Sequence, residues 1–312
     1  MDQFKNHPLY RLHTIDTAMS NMWNFYKSRF LVLFLTSLVM SLMTQLISVQ
    51  INLGDIQNTT NPMELLEKYK GFILPFSEML IISLVFSVFM QYYVMYNPLE
   101  GHPNIFVSAW ISLKYIPSYI IILILFCFMG AAAMTLGVLV FIIGMFFALF
   151  WIATIYMFIL PVLMAEGTNI GKAIARIFKL AHRKFWTNLA WLLILFIIIL
   201  VITFILSGLT IIPFSGNLMK LFKDPSEAIR SMSFTSNPIY IFLSAVVSAL
   251  VAPLIPIFSS ILYLNAIANE DVSLQVTAPD EPSRVRVEDL YAKPYSDDHP
   301  DNPEKKQQNT SV

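Results

Sequence analysis

A chain of 312 residues with 56% hydrophobic and only 13% charged residues departs from the soluble average of roughly 45–50% apolar and about 25% charged. Its formal charge of zero conceals three uncharged stretches, between Lys114 and Glu166, Lys184 and Lys220, and Arg230 and Glu270. Apolar runs of that length exclude a soluble globular domain and point to an all-α, polytopic transmembrane bundle.

The chain opens on a mixed polar and aromatic segment, Met1 to Arg29, without the apolar region and small-residue cleavage site of a signal peptide. The first apolar run is therefore expected to stay as an anchor. From Thr14 to Arg29, Ile15, Ala18, Met19, Met22, Trp23 and Tyr26 recur at helical spacing, and Thr14 suits the N-cap. This reads as a helix lying on the membrane surface. A first span follows at residues 30–51, then an outer loop with an Asn58-Thr59-Thr60 glycosylation sequon, which has no meaning in most bacteria. The second span is expected at 72–96. It holds Glu78, the one carboxylate clearly inside a span, behind Pro75. Such a group costs about 2.5–3.5 kcal/mol in hydrocarbon and is a candidate intramembrane polar site. Near its outer end it could also reach the interface or an outer-loop lysine.

A second surface helix is expected from Asn104 to Lys114, with Ile105, Phe106, Ala109, Trp110 and Leu113 as its apolar set. The uncharged stretch after it is too long for one span. Dividing it in the small-residue run Gly130 to Gly137 gives spans at 116–134 and 137–164. A third surface helix, Asn169 to Phe185, carries Ile170, Ile174, Ile177, Phe178, Ala181 and Phe185 on one face. Lys172, Arg176, Lys179 and Arg183 share the opposite stripe, where each attracts anionic headgroups by about 1 kcal/mol. That contact serves either lipid recognition or plain anchoring. The fifth and sixth spans fall at 186–206 and 239–268. Pro253 and Pro256 remove backbone donors from the sixth and kink it, freeing carbonyls that line a cavity or are absorbed by packing. From 270 to 312, five prolines, many acids and few large apolar residues predict a disordered acidic tail. The bundle then comprises residues 1–269.

Lys and Arg residues number fifteen on the side of the termini and five in the outer loops, which places both termini in the cytoplasm. The pattern of one surface helix and two spans occurs three times. A shift of 155 residues aligns Ile15 with Ile170, Ala18 with Ala173, Met22 with Ile177 and Phe30 with Phe185, as an internal repeat would, and as amphipathic helices also do without one.

The negatives narrow the function. The single cysteine, Cys127, excludes an intramolecular disulfide. The five histidines lack metal-ligand spacing, and there is neither a nucleotide phosphate loop nor a serine-nucleophile turn. No catalytic residue, metal, cofactor or nucleic-acid partner is expected.

The run Ala165-Glu166-Gly167-Thr168-Asn169-Ile170-Gly171-Lys172-Ala173-Ile174, continued by Arg176-Ile177-Phe178-Lys179-Leu180, resembles a recurring segment of uncharacterised bacterial membrane proteins. These are related to the membrane domain fused to some glycerophosphoryl diester phosphodiesterases. Pro256-Ile257-Phe258-Ser259-Ser260-Ile261-Leu262-Tyr263 is similar to that group's closing helix, and the likeness spans about Thr14 to Asn269. Nothing matches the phosphodiesterase barrel, so no catalytic residue carries over. The resemblance implies a stand-alone membrane domain in a bacterial cytoplasmic membrane. The expected role is non-enzymatic, organising membrane lipids or a membrane-protein partner. The alternative is a transporter or lipid-translocating protein, built on Glu78, the paired prolines and the repeat.

Overall fold

In hydrocarbon each backbone N–H and C=O has to find its partner within the protein, which helices achieve inside one segment. The computed structural model describes residues 2–50, 62–100, 104–214 and 237–277, and the described chain is helical with no strand. Short helix α1 (Ile15–Ser28) leads into α2 (Phe30–Ser48) and α3 (Pro62–Glu100). Next, α4 (Ile105–Ser112) leads into α5 (Ile116–Leu139) and α6 (Phe141–Glu166). Finally, α7 (Ile170–Arg183) leads into α8 (Phe185–Ile211) and a last span made of α9 (Pro238–Val251) and α10 (Leu254–Thr277). Among the described residues six stretches are long and apolar enough to cross a membrane, so the chain is a multi-pass membrane protein. The sequon, Lys220, Lys223, Arg230 and the tail from residue 278 lie outside the described residues, as does the side chain of Lys68.

The thrice-repeated order has a local cause at each start. Thr14 Oγ1, Asn104 Oδ1 and Asn169 Oδ1 accept from the N–H groups of Thr17, Phe106 and Lys172, capping the three short helices. These helices mark one end of the bundle, the base. The other end, where α2, α5 and α8 finish, is the tip.

One buried cluster fills the base. Phe4 and Leu9 from the N-terminal segment join Met22 and Phe25 of α1, Val94 and Met95 of α3, Phe158 and Ile159 of α6, Ile177 and Leu180 of α7, and Phe258 and Ile261 of α10. The tip is different. Leu139, Phe141 and Ile143 around the α5–α6 turn are 75%, 85% and 80% exposed.

Several expectations are corrected. The turn between the third and fourth spans falls at Val140 and Phe141, and α5 runs unbroken through Gly130 and Gly137. The glycines serve close approach instead: a Cβ on Gly137 would sit 2.7 Å from the Gly144 carbonyl oxygen of α6. For the surface helices the sequence left open whether the apolar side packs on the bundle. In the second, Ser108 and Ser112 are buried, while Phe106 and Trp110 are exposed. The third surface helix follows the opposite rule and buries Ala173, Ile177, Leu180 and Ala181 within the bundle. The second span, α3, extends to 39 residues, or about 58 Å, against the roughly 30 Å of hydrocarbon. Helix α10 continues to Thr277, past the expected tail boundary at residue 270. The chain's larger compact unit is nonetheless Met1–Asn269.

Candidate functional site

Prolines interrupt the helices, and each interruption leaves a carbonyl without its i+4 donor. Side chains from distant elements fill two of these gaps. Pro161 of α6 frees the Met157 carbonyl, which accepts from the Ser259 hydroxyl of α10. Pro98 of α3 frees the Val94 carbonyl, and His7 Nε2 donates to it at 3.1 Å. The His7 Nδ1 accepts the Leu9 N–H, so the ring is neutral. Burial, helped by the Arg29 charge and opposed by the Val94 bond, pushes its pKa down to about 4.

The expected kink in the sixth span is a full break. Helix α9 ends at Val251 and α10 begins at Leu254, with Ala252 and Pro253 between them. The Leu250 carbonyl at the end of α9 accepts from Tyr26 OH at 3.0 Å. Ala252 N–H still reaches Ser248 O at 2.9 Å, and Ile255 N–H reaches Ala252 O at 3.4 Å. Gln91 of α3 braces the other side. Its Nε2 donates to Ser260 Oγ at 2.7 Å and to Pro256 O at 3.4 Å, and Ser260 Oγ donates to Pro256 O at 2.9 Å.

Beside this break lies a cavity of about 180 Å³. It is walled by Met40, Phe86, Met90, Leu160 and Ile255, with Ser37, Ser87, Gln91, Ser259 and the Tyr119–Tyr156 hydroxyl pair as its polar groups. Its lining residues on α2, α3 and α6 lie roughly six to fourteen residues, or about 9–21 Å, inside the base ends of those helices. Ser37 Oγ is the one buried side-chain polar atom among the described residues with no hydrogen-bond partner. A helical serine normally bonds back to its own helix. Ser37 itself lines this largely apolar cavity.

The other residues singled out by sequence are not part of this cavity. Glu78 is half-buried on α3 and lines no wall of it. Lys172, Lys179 and Arg183 are exposed on α7, whereas Arg176 turns inward. Its Nε lies 2.9 Å from both Glu166 oxygens, and Tyr263 OH donates to Glu166 Oε1 at 3.1 Å. The four basic side chains therefore do not share one exposed stripe, since Arg176 is drawn into an ion pair with Glu166. Among the described residues no group of three or more His, Cys, Asp or Glu side chains is placed to share a metal ion.

Two contributors escaped the sequence reading. The N-terminal segment folds under the base on His7 and His13, the latter donating from Nε2 to Leu9 O at 3.0 Å and from its backbone to Asn265 Oδ1 at 3.0 Å. Ser37 and Gln91 complete the cavity. The available signal was their polarity within otherwise apolar spans. No family model matches the chain, and no curated protein or solved structure matches it either.

Proposed function

We propose that the protein is a non-enzymatic component of a bacterial cytoplasmic membrane that organises lipids by seating an apolar chain at the break in the sixth span. The Lys and Arg excess on the side of the termini supports a cytoplasmic base. The observation that carries the reading is the cavity, with its apolar walls and the unpartnered Ser37 hydroxyl. Ordinary small-molecule sites measure roughly 300–1,000 Å³. At about 180 Å³ this one suits a segment of a single acyl or prenyl chain carrying one acceptor group near Ser37.

Translocation of a lipid is the second reading, favoured by the discontinuous helix beside the cavity. Glu78 gives it no support, since a coupling carboxylate would be expected at the cavity.

The test is native mass spectrometry of the protein extracted within patches of its own membrane. The expected result is one co-purifying apolar or amphipathic molecule per chain, lost when Ala252→Phe fills the space and weakened by Ser37→Ala. Equal retention by wild type and Ala252→Phe would overturn the reading. Wild type in proteoliposomes that moves labelled lipid between leaflets, where Ala252→Phe does not, would replace it with translocation.

A further inference from the structure

A single residue joins α1 to α2. Arg29 closes the first helix and opens the second, so its guanidinium is held where the first span leaves the base. It is half-buried there. Its Nε donates to Asn97 Oδ1 at 3.2 Å, Nη1 donates to Ser28 Oγ at 3.4 Å, and Cζ lies 4.5 Å from the Phe25 ring centre. A guanidinium has five N–H donors, so these two bonds leave most of them unspent. Among the described residues no carboxylate pairs with Arg29. Burial lowers its pKa, with Tyr93 opposing. A half-buried guanidinium with unspent donors and no acid beside it can take an anion from outside the chain.

Arg29 opens on a cleft of about 740 Å³ between the α1–α2 junction and α3. Lys27, Ser28 and Asn97 share its polar part, and Leu31 and Ile105 lie along its apolar wall. Leu31 is 68% exposed and begins the first span, so this wall runs on into the membrane. The level of the bilayer surface is marked independently. Trp23 of α1, Trp110 of α4 and Trp186 at the start of α8 are all exposed at the base, as an interfacial aromatic belt is.

We propose that this cleft binds the phosphate of an anionic phospholipid, with Arg29 and Lys27 on the phosphate and the acyl chains along Leu31 and Ile105. Free phosphate shares the headgroup chemistry but leaves the apolar wall uncovered. The basic stripe of α7 is the weaker place for a bound lipid, because Arg176 is committed to Glu166 and the helix's apolar face is already buried in protein. The cleft and the intramembrane cavity share no lining residue, so either assignment can fail alone.

The experiment uses the full chain in detergent, titrated with phosphatidylglycerol, phosphatidylcholine or inorganic phosphate and read by native mass spectrometry. Wild type is expected to take up one phosphatidylglycerol in preference to phosphatidylcholine. Arg29→Gln should lower that affinity about fivefold, the effect of one near-surface charge. Lys27→Gln should cost a few-fold and Leu31→Trp should block uptake, while Lys172→Gln should leave it unchanged. Should Arg29→Gln fail to fold, Lys27→Gln and Leu31→Trp decide the matter. Undiminished preference in those variants overturns the site, as does a preference lost only in Lys172→Gln. Equal competition by inorganic phosphate overturns the lipid assignment.

Discussion

The base and the tip of this bundle obey different rules. At the base, Ile155, Phe158, Ile159, Ile177, Phe258 and Ile261 are completely buried, and two prolines are matched by donors from other elements. That is how a soluble core is built. At the tip of α5 and α6, large apolar side chains stand exposed in sequence from Val138 to Ile143, next to the buried Gly137. Lipid has to supply their surroundings. The contrast teaches that hydropathy finds the spans without saying which half of each one is packed. Burial against protein is concentrated at the base in α5, α6 and α8, while the sixth span also buries Ile241, Ala245 and Ala249 in its tip half, α9.

The largest test of this contrast compares equivalent truncations. Phe258 is fully buried at the base, so Phe258→Ala should cost about 3–5 kcal/mol. Phe204, 78% exposed on α8, should cost under about 1 kcal/mol when cut to alanine, since little protein surrounds it. Thermal unfolding in one detergent measures both. Equal losses would mean that the tip halves are packed in the membrane as tightly as the base.

A smaller effect is expected from pH, and only at the base. The folded His7 pKa is near 4 and the unfolded value is 6.5. Between those values the unfolded chain takes up a proton that the folded chain refuses, so stability falls as pH falls through that window. The loss should reach about 2 kcal/mol by pH 5 relative to pH 7. His7→Gln keeps a donor for the Val94 carbonyl without titrating, so its melting temperature should drop less over the same range. A parallel decline in both proteins would remove His7 as the cause.

These effects also show what the sequence could reveal. Six apolar runs are legible because span length is dictated by the bilayer. The surface helices were only half legible. Periodicity locates an apolar face, yet in a membrane that face turns toward protein in α7 and toward lipid in α4, where Ser108 and Ser112 go inside. At the site, Pro253 and Pro256 announced the break. Ser37, Gln91 and His7 did not announce themselves, because their roles depend on carbonyls and spaces created by residues far away in the chain.

The smallest and sharpest test lies at the α5–α6 turn, which the sequence placed among glycines. Phe141 adopts φ 59, a left-handed conformation that costs an L-residue roughly 1–2 kcal/mol. Its ring is 85% exposed, so Phe141→Gly gives up almost no protein contact. Glycine's greater unfolded entropy takes back part of the gain, leaving about 0.5–1 kcal/mol of stabilisation. Gly137→Ala, a few residues away, should do the reverse, because its Cβ would meet the Gly144 carbonyl at 2.7 Å, a backbone atom that cannot step aside cheaply. Melting curves of the two variants should therefore move in opposite directions. If Phe141→Gly lowers the melting temperature instead, the phenyl ring is held by something. The tip would then be a packed surface, and the boundary between protein-governed and lipid-governed halves would have to be redrawn above it.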